Sequence, residues 1–299
     1  MLTLDFRRVT VRSTWRGAEK TMGRKAKDLE GDETAPDQAE DAQMVASLQR
    51  GLEVLRCFRP HDAALGNHDI AHRTGLPNST VSRLTYTLSL LGYLHYLEDM
   101  GKYRLGLPVF GLGHASLARF RARDLARPLM VELARSAGGN AVIGLAGRHD
   151  LSMVYLNCAR GDGPVSVQID VGFHLSLSQS AVGRAYLAGL PASERAGLIE
   201  RIQQATDART WPKIEDGILR AVEEVKVQGF CLNVGEWTAD VSSVGVPLPP
   251  AAGSADPPLA VSCDGPTFRL SRQFLMDEIG PRLVKLARTV HDAVADEGK

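Results

Sequence analysis

Apolar residues recur at spacings of three, four and three along Val81, Leu84, Leu88 and Leu91, which predicts a helix with one buried stripe. A shorter helix precedes it, with Ile70 and Ala71 as its buried edge and Asn67 as a candidate N-cap. Between the two, Gly75 supplies the left-handed residue that a sharp helix-to-helix turn needs, and Pro77 and Asn78 open the second helix. Asn78, Ser79, Thr80, Ser82, Arg83 and Tyr86 fall outside the stripe. Short hydrogen-bonding side chains with one arginine and one aromatic, at the exposed start of a helix, suit the base edges of a DNA major groove. A hairpin follows: Gly92-Tyr93-Leu94 runs extended, Glu98 to Gly101 turns, and Lys102-Tyr103-Arg104-Leu105 returns. Tyr93 and Leu94 can pack inward while Lys102 and Arg104 reach phosphate, as a wing does. An ordinary helical hairpin with a strand pair is the plain alternative. Three elements in the right order favour a winged helix-turn-helix.

Ahead of this unit, SLQRGLEVLRCF predicts a helix with Leu48, Leu52, Leu55 and Phe58 as its apolar stripe and Ser47 as N-cap. After it, Gly106 to Arg127 reads as one linker helix, carrying Leu107, Phe110, Leu112 and Leu117 before a basic cluster of Arg119, Arg121 and Arg123. Its apolar side suits either a contact between two DNA-reading units or packing within one chain. From Pro128 the pattern changes. A helix ends at Gly138, and the β-rich runs AVIGLA, LSMVYLN and PVSVQIDV follow. Helices are expected over 180–188, 192–203 and 214–228, then strands at FCLNV, SSVGVPL and PLAVSCD, and a closing amphipathic helix over 273–295. Strands in runs, flanked by helices, indicate an α+β arrangement rather than a parallel βαβ sheet. Pro249 to Pro258 reads as a long loop between two strands. The domain reading is a tail over 1–43, a DNA-binding domain over 44–105, a linker helix over 106–127 and a second domain over 128–299, which the family resemblance given below implies is effector-binding.

At 299 residues the chain suits two domains, and its 44% hydrophobic content is enough for a true core. No long uninterrupted apolar run suggests a membrane span. Net charge is zero, which argues against non-specific coating of nucleic acid but leaves room for a local basic face. Four cysteines, Cys57, Cys158, Cys231 and Cys263, form no CxxC pair, so neither a zinc ribbon nor a disulfide framework is expected and a reducing cytoplasm is. The tail is basic over residues 1–27 and acidic from Glu30 to Asp41, with no signal-peptide core. It reads as a disordered or over-extended start, or as a basic arm adding phosphate contacts.

The order and wording of SLQRGLEVLRCF, IAHRTGLPNSTVSRLTYTL, LGYL and KYRLG resembles the isocitrate-lyase-regulator (IclR) family of bacterial transcription factors. In the second half LSLSQSAVGRAYLAGLP, GFCLNVGE, SSVGVPL and AVSCDGPTFRLS carry the same resemblance, so that it spans about residues 47 to 295. The resemblance implies a winged helix-turn-helix followed by a GAF-like α/β effector-binding domain, acting as dimers or dimers of dimers on palindromic operators. It places an effector at Ala181 and Val182, at a helix start whose free N–H groups favour a carboxylate. Polar contacts then fall on Asn233, Ser243, Ser262 and Asp264, and apolar walls on Val165, Val167, Leu175 and Val241. The chain departs from commoner family residues: Asn233 for aspartate, Ser243 for cysteine, Asp264 for serine, and Arg184 for lysine. Asn140 sits where a Gly-Glu pair usually ends. The implied effector is therefore left at a class, a small organic acid or aromatic metabolite.

Other functions are weighed against these residues. His68 and His72 lie one helical turn apart, a zinc-compatible spacing, but no HExxH accompanies them and they sit on the first helix of the pair. SAVGRA is no nucleophile elbow, and there is no Gly-rich phosphate loop, so neither an enzyme nor a cofactor or metal is expected. A sensor acting through a protein partner is the remaining alternative. Asp264 itself has two readings, a ligand contact paired with Arg184, Ser243, Asn233 or a ligand donor, and a cap of the turn at Gly265-Pro266.

Overall fold

A computed structural model describes residues 44–59, 62–118, 120–163, 167–251, 254 and 256–297. The expectations for the tail 1–43, for Arg119 and for Val165 lie outside the described residues. The chain divides into two compact units after Ala118.

In the first unit, α1 (Ala46–Arg56), α2 (Asn67–Thr74) and α3 (Asn78–Leu90) precede an antiparallel hairpin of β1 (Leu94–Leu97) and β2 (Lys102–Leu105). Val54, Leu65, Ile70, Val81 and Leu94 form its core. Gly75 has φ 74° and turns α2 into α3, as the sequence requires. Two details differ. The stripe expected on α1 holds only in its second half: Leu55 and Phe58 pack on the core, beside the buried Gly51 and Val54, whereas Leu48 and Leu52 are 62% and 51% exposed. Gly51 has no side chain, and a Cβ there would already lie 4.0 Å from Leu84, so α1 turns this bare side toward α3. Nor does Ser47 cap α1, because the helix begins at Ala46 after Val45. Asn67 is likewise the first helical residue rather than the N-cap. Gly66 takes that place, its N–H held by the Asp69 carboxylate at 2.9 Å.

The linker expected as one helix is two, α4 (Leu107–Leu117) and α5 (Arg121–Ser136), and Pro128 lies inside α5 rather than before a new element. The second unit is built on a six-stranded antiparallel sheet in the order β5-β4-β3-β8-β7-β6. Its strands are β3 (Val142–His149), β4 (Ser152–Arg160), β5 (His174–Ser176), β6 (Cys231–Val234), β7 (Val241–Leu248) and β8 (Leu259–Pro266). The strand expected at PVSVQIDV does not form over its described part. Ile169 donates its N–H back to Val167 in a local turn, and its carbonyl accepts from the Arg160 guanidinium instead of a ladder partner.

Helices cover both faces. Ile143, Leu145, Val244, Val261 and Cys263 pack with Met130 and Leu133 of α5 and with Leu283 and Val290 of α10 (Gly280–Glu297). The short α9 (Arg272–Phe274) leads into α10 through one π-helical turn at Leu275–Ile279, just before Gly280-Pro281. Pro281 has no N–H for the carbonyl four residues back and its ring crowds that carbonyl, a recognised cause of such a turn. On the opposite face Val142, Ala146, Met153, Tyr155, Val241 and Ala260 pack with α6 (Ala181–Gly189), α7 (Ala192–Gln204) and α8 (Trp211–Gln228). Strand alternation puts Ser262 and Asp264 of β8 on this α6 face, with Ala260.

The approach of α6 depends on glycine. A Cβ at Gly245 of β7 would lie 2.3 Å from the Ala181 carbonyl oxygen, and one at Gly183 of α6 would lie 2.3 Å from the Leu177 carbonyl oxygen. Gly245→Ala is therefore expected to destabilise the protein by about 1–3 kcal/mol, the usual cost of overpacking, measured by urea unfolding. A variant with unchanged midpoint and slope would show that α6 does not rest on bare backbone there.

Candidate functional site

Two surfaces hold the side chains singled out by the sequence. On α3, Asn78, Ser79, Ser82, Arg83 and Tyr86 are exposed and Thr80 is half-buried, opposite the buried Val81 and Thr85. Arg104 on the wing is exposed and Lys102 half-buried. Ser82 differs from the rest of the set, because its hydroxyl accepts from the Asn67 side-chain amide at 3.2 Å. Thr85 donates to the Val81 carbonyl at 2.9 Å and lies 3.3 Å from Asn67 Oδ1. Asn67 thus bridges α2 to α3. Sequence reasoning missed a second tie: Arg73 of α2 makes a bidentate pair with Asp62, at 2.5 and 2.9 Å, and reaches the Cys57 carbonyl at 2.9 Å. The hydrogen bonds from Arg73 hold the Asp62 carboxyl below its usual range. His68 and His72 are exposed, and no group of metal-ligating residues occurs among the described residues.

The second surface is the α6 face of the sheet. Strand register brings together residues far apart in sequence. Asn233 of β6 pairs with Ser243 of β7, which pairs with Asp264 of β8. In a second row Gly245 pairs with Ser262, and Ser262 with Gly144 of β3. All four predicted polar residues are buried, as are Ala181, Val182, Val167, Leu175 and Val241.

Their bonds match the expected pairing only at Ser243. Arg184, 4% exposed, donates to the Ser178 carbonyl at 2.9 Å and to Glu236 at 2.7 Å, so it serves Glu236 and not Asp264. Burial opposes the charge of Glu236, but the hydrogen bond and charge of Arg184, with Arg220 beyond, hold its carboxyl below the usual range. Asn233 donates to the Gln179 carbonyl at 2.6 Å and accepts from the backbone N–H groups of Glu236 and Trp237 at 3.2 and 3.3 Å. It anchors the loop before α6 to the turn after β6, and is not a partner of Asp264. The turn-cap reading also fails, since Asp264 sits within β8, paired on both sides.

Asp264 instead belongs to a triangle of oxygens. The hydroxyls of Tyr155 and Ser262 approach its Oδ2 at 2.8 and 2.7 Å and lie 2.8 Å from each other. Ser243 hydrogen-bonds to the same carboxyl. With Asp264 ionised, two hydroxyl protons serve three edges and the Tyr155–Ser262 edge has none. A proton on Asp264 completes the ring. Burial pushes the Asp264 carboxyl above its usual range, although the hydroxyls of Ser243, Ser262 and Tyr155 pull it part of the way back. Burial, followed by the charge of Asp264, pushes the Tyr155 phenol up as well. Tyr155 went unnoticed in the sequence because an aromatic in an alternating strand reads as plain core. Cys231 and Cys263 are buried, and burial pushes the Cys231 thiol up to about 12.

A winged helix-turn-helix joined to a helix-covered antiparallel sheet defines a DNA-binding transcriptional regulator. The family model for the IclR helix-turn-helix domain matches residues 47–98, and that for the bacterial transcriptional regulator IclR C-terminal domain matches residues 114–292. The chain belongs to the IclR family. It is 32% identical over 259 residues to the HTH-type transcriptional regulator TsaQ1/TsaQ2 of Comamonas testosteroni, covering 85% of this chain and 91% of that protein. Among solved structures it resembles an IclR family transcriptional regulator from Brucella abortus, with 43% identity, TM-score 0.70, and 87% and 97% of the two chains covered. An IclR homolog from Microbacterium hydrocarbonoxydans, complexed with 4-hydroxybenzoate, shares the fold at 22% identity and TM-score 0.67, over 84% and 99% of the chains.

A carboxyl whose folded value is raised favours the fold at low pH, and that advantage is lost as pH climbs from the usual carboxylate range through the raised value. Asp264→Asn keeps the shape and stays neutral. In urea unfolding between about pH 4 and about pH 8, wild type is expected to lose stability relative to this variant as pH rises. Parallel curves would show that Asp264 has no such cost.

Proposed function

We propose that the protein binds a palindromic operator as a homodimer or a dimer of dimers, and that a small organic acid or aromatic metabolite bound at the start of α6 changes that binding. The observation that carries the DNA half is the division of α3, with Asn78, Ser79, Arg83 and Tyr86 outward and Val81 inward. Arg83 and Ser79 reach base edges in this reading, while Lys102 and Arg104 hold phosphate. The dimer half rests on α4, where Leu107, Phe110 and Leu112 are 86%, 74% and 59% exposed. Apolar side chains so exposed on one short helix suit a second copy of the same helix.

For the effector, the first-turn amides of Ala181 and Val182 offer a carboxylate site. Val167, Leu175 and Val241 supply apolar walls, and Asn233, Ser243, Ser262 and Asp264 the polar ones. The 4-hydroxybenzoate held by the Microbacterium homolog agrees with an acid of this size. The reading is of a regulator that catalyses no reaction, acting in the compartment that holds the chromosome.

Footprinting across its own genome would supply the operator, and anisotropy titrations on that DNA test the assignment. Arg83→Ala is expected to lose about tenfold or more in specific affinity, the worth of one good base contact, while folding is unchanged. Wild-type affinity in this variant would remove α3 as the reading helix. Phe110→Glu is expected to weaken self-association in sedimentation and to lower operator affinity with it. A variant that associates and binds as wild type does would remove α4 as the contact between copies.

A further inference from the structure

On the α6 face, the polar side chains that the family resemblance assigns to the effector already have partners within the chain. The amide of Asn233 is engaged by Gln179, Glu236 and Trp237, and Arg184, the cation beside the α6 start, by Ser178 and Glu236. Ser262 and Asp264 are met by the Tyr155 hydroxyl, at 2.8 Å in each case. Tyr155 can lie there because its neighbour on β3 is glycine: a Cβ at Gly144 would fall 2.0 Å from Tyr155 Cε1. The ring occupies the space that a side chain at position 144 would need. At 1% exposed, Tyr155 is shared core with Val167, Leu175, Val182 and Val241, the apolar residues of the same site.

The geometry points to Tyr155 as the residue that sets effector specificity, its phenol standing in for the hydroxylated end of a ligand, so that the effector is a monocarboxylate whose far end is apolar. This rests on the reading of the α6 start as the effector site. There the Gly183 N–H is already taken by Ser180 at 3.1 Å, which leaves the amides of Ala181 and Val182 as the anchor for the carboxylate. Beyond that anchor the ligand meets aliphatic side chains and the tyrosine ring. A ligand hydroxyl directed at Asp264 Oδ2 has to compete with the hydroxyls of Tyr155 and Ser262, already 2.8 and 2.7 Å away, and gives up its own water to do so. A site whose facing carboxylate oxygen already takes two hydroxyls accordingly prefers the acid without the hydroxyl.

Calorimetric titration of the full chain with benzoate and with 4-hydroxybenzoate tests this. Wild type is expected to bind benzoate about tenfold tighter or more, as an apolar wall does against an added hydroxyl. Tyr155→Ala opens Ser262 and Asp264 and is expected to reverse the ranking. Adding Asp264→Ala to it should abolish the reversal, which a mere gain of cavity volume would not explain. Tyr155→Leu fills more of the core and serves where the alanine variant does not fold, with the benzoate preference expected to fall in the same direction. A wild type that prefers 4-hydroxybenzoate, or a ranking unchanged in the Tyr155 variants, overturns the role of Tyr155 while the effector reading stands. No binding of either acid to wild type overturns both.

Discussion

The second unit depends on one close approach, that of α6 to bare backbone. Gly245 lets the Ala181 carbonyl rest on β7, and Gly183 lets the preceding loop pass under the helix at Leu177. Ser180 closes the helix start by accepting from Gly183, and Asn233 and Arg184 tie the surrounding loops to it. With the helix so near, polar groups on this face of the sheet are cut off from water. Each must find a partner inside the chain, because an unpaired buried polar group costs more than a typical bond returns. The Tyr155–Ser262–Asp264 triangle is the outcome of that constraint, and the raised Asp264 carboxyl is its electrostatic sign.

Much of the DNA-reading unit was legible because its signals are local. Gly75, the Val81 stripe and the polar start of α3 lie within a few turns of one another, and each constrains its neighbours. The orientation of α1 was less so. Leucine at positions 48 and 52 looks like a core stripe, but burial is decided by a glycine, Gly51, whose contribution is the absence of a side chain. The break after α4 was hidden for a similar reason, since LARFRARD holds neither glycine nor proline to mark it.

In the second unit the four polar residues were named together, but of the partners expected for Asp264 within the chain only Ser243 is one. Asp264, Ser262, Ser243 and Asn233 do share a face, as the family wording implied. Arg184 was one of the partners considered for Asp264, yet Glu236 holds it. One donor to Asp264, beside the hydroxyls of Ser243 and Ser262, is Tyr155, more than a hundred positions earlier in the chain. Only sheet register brings the two together, and register across β4, β3 and β8 cannot be read from any one strand.

On the other unit, Asn67 separates two tasks that share one helix. By bonding to Ser82 and approaching Thr85 it fixes the angle between α2 and α3 from the inner flank, while Asn78, Ser79 and Arg83 lie free of it on the outer flank. Ser82 apart, the residues that set the angle are therefore not those that face outward. Substitutions at the outer positions can accumulate one at a time without disturbing the scaffold that presents them. A lineage carrying this arrangement can drift from one set of target genes to another along a path on which every intermediate still folds.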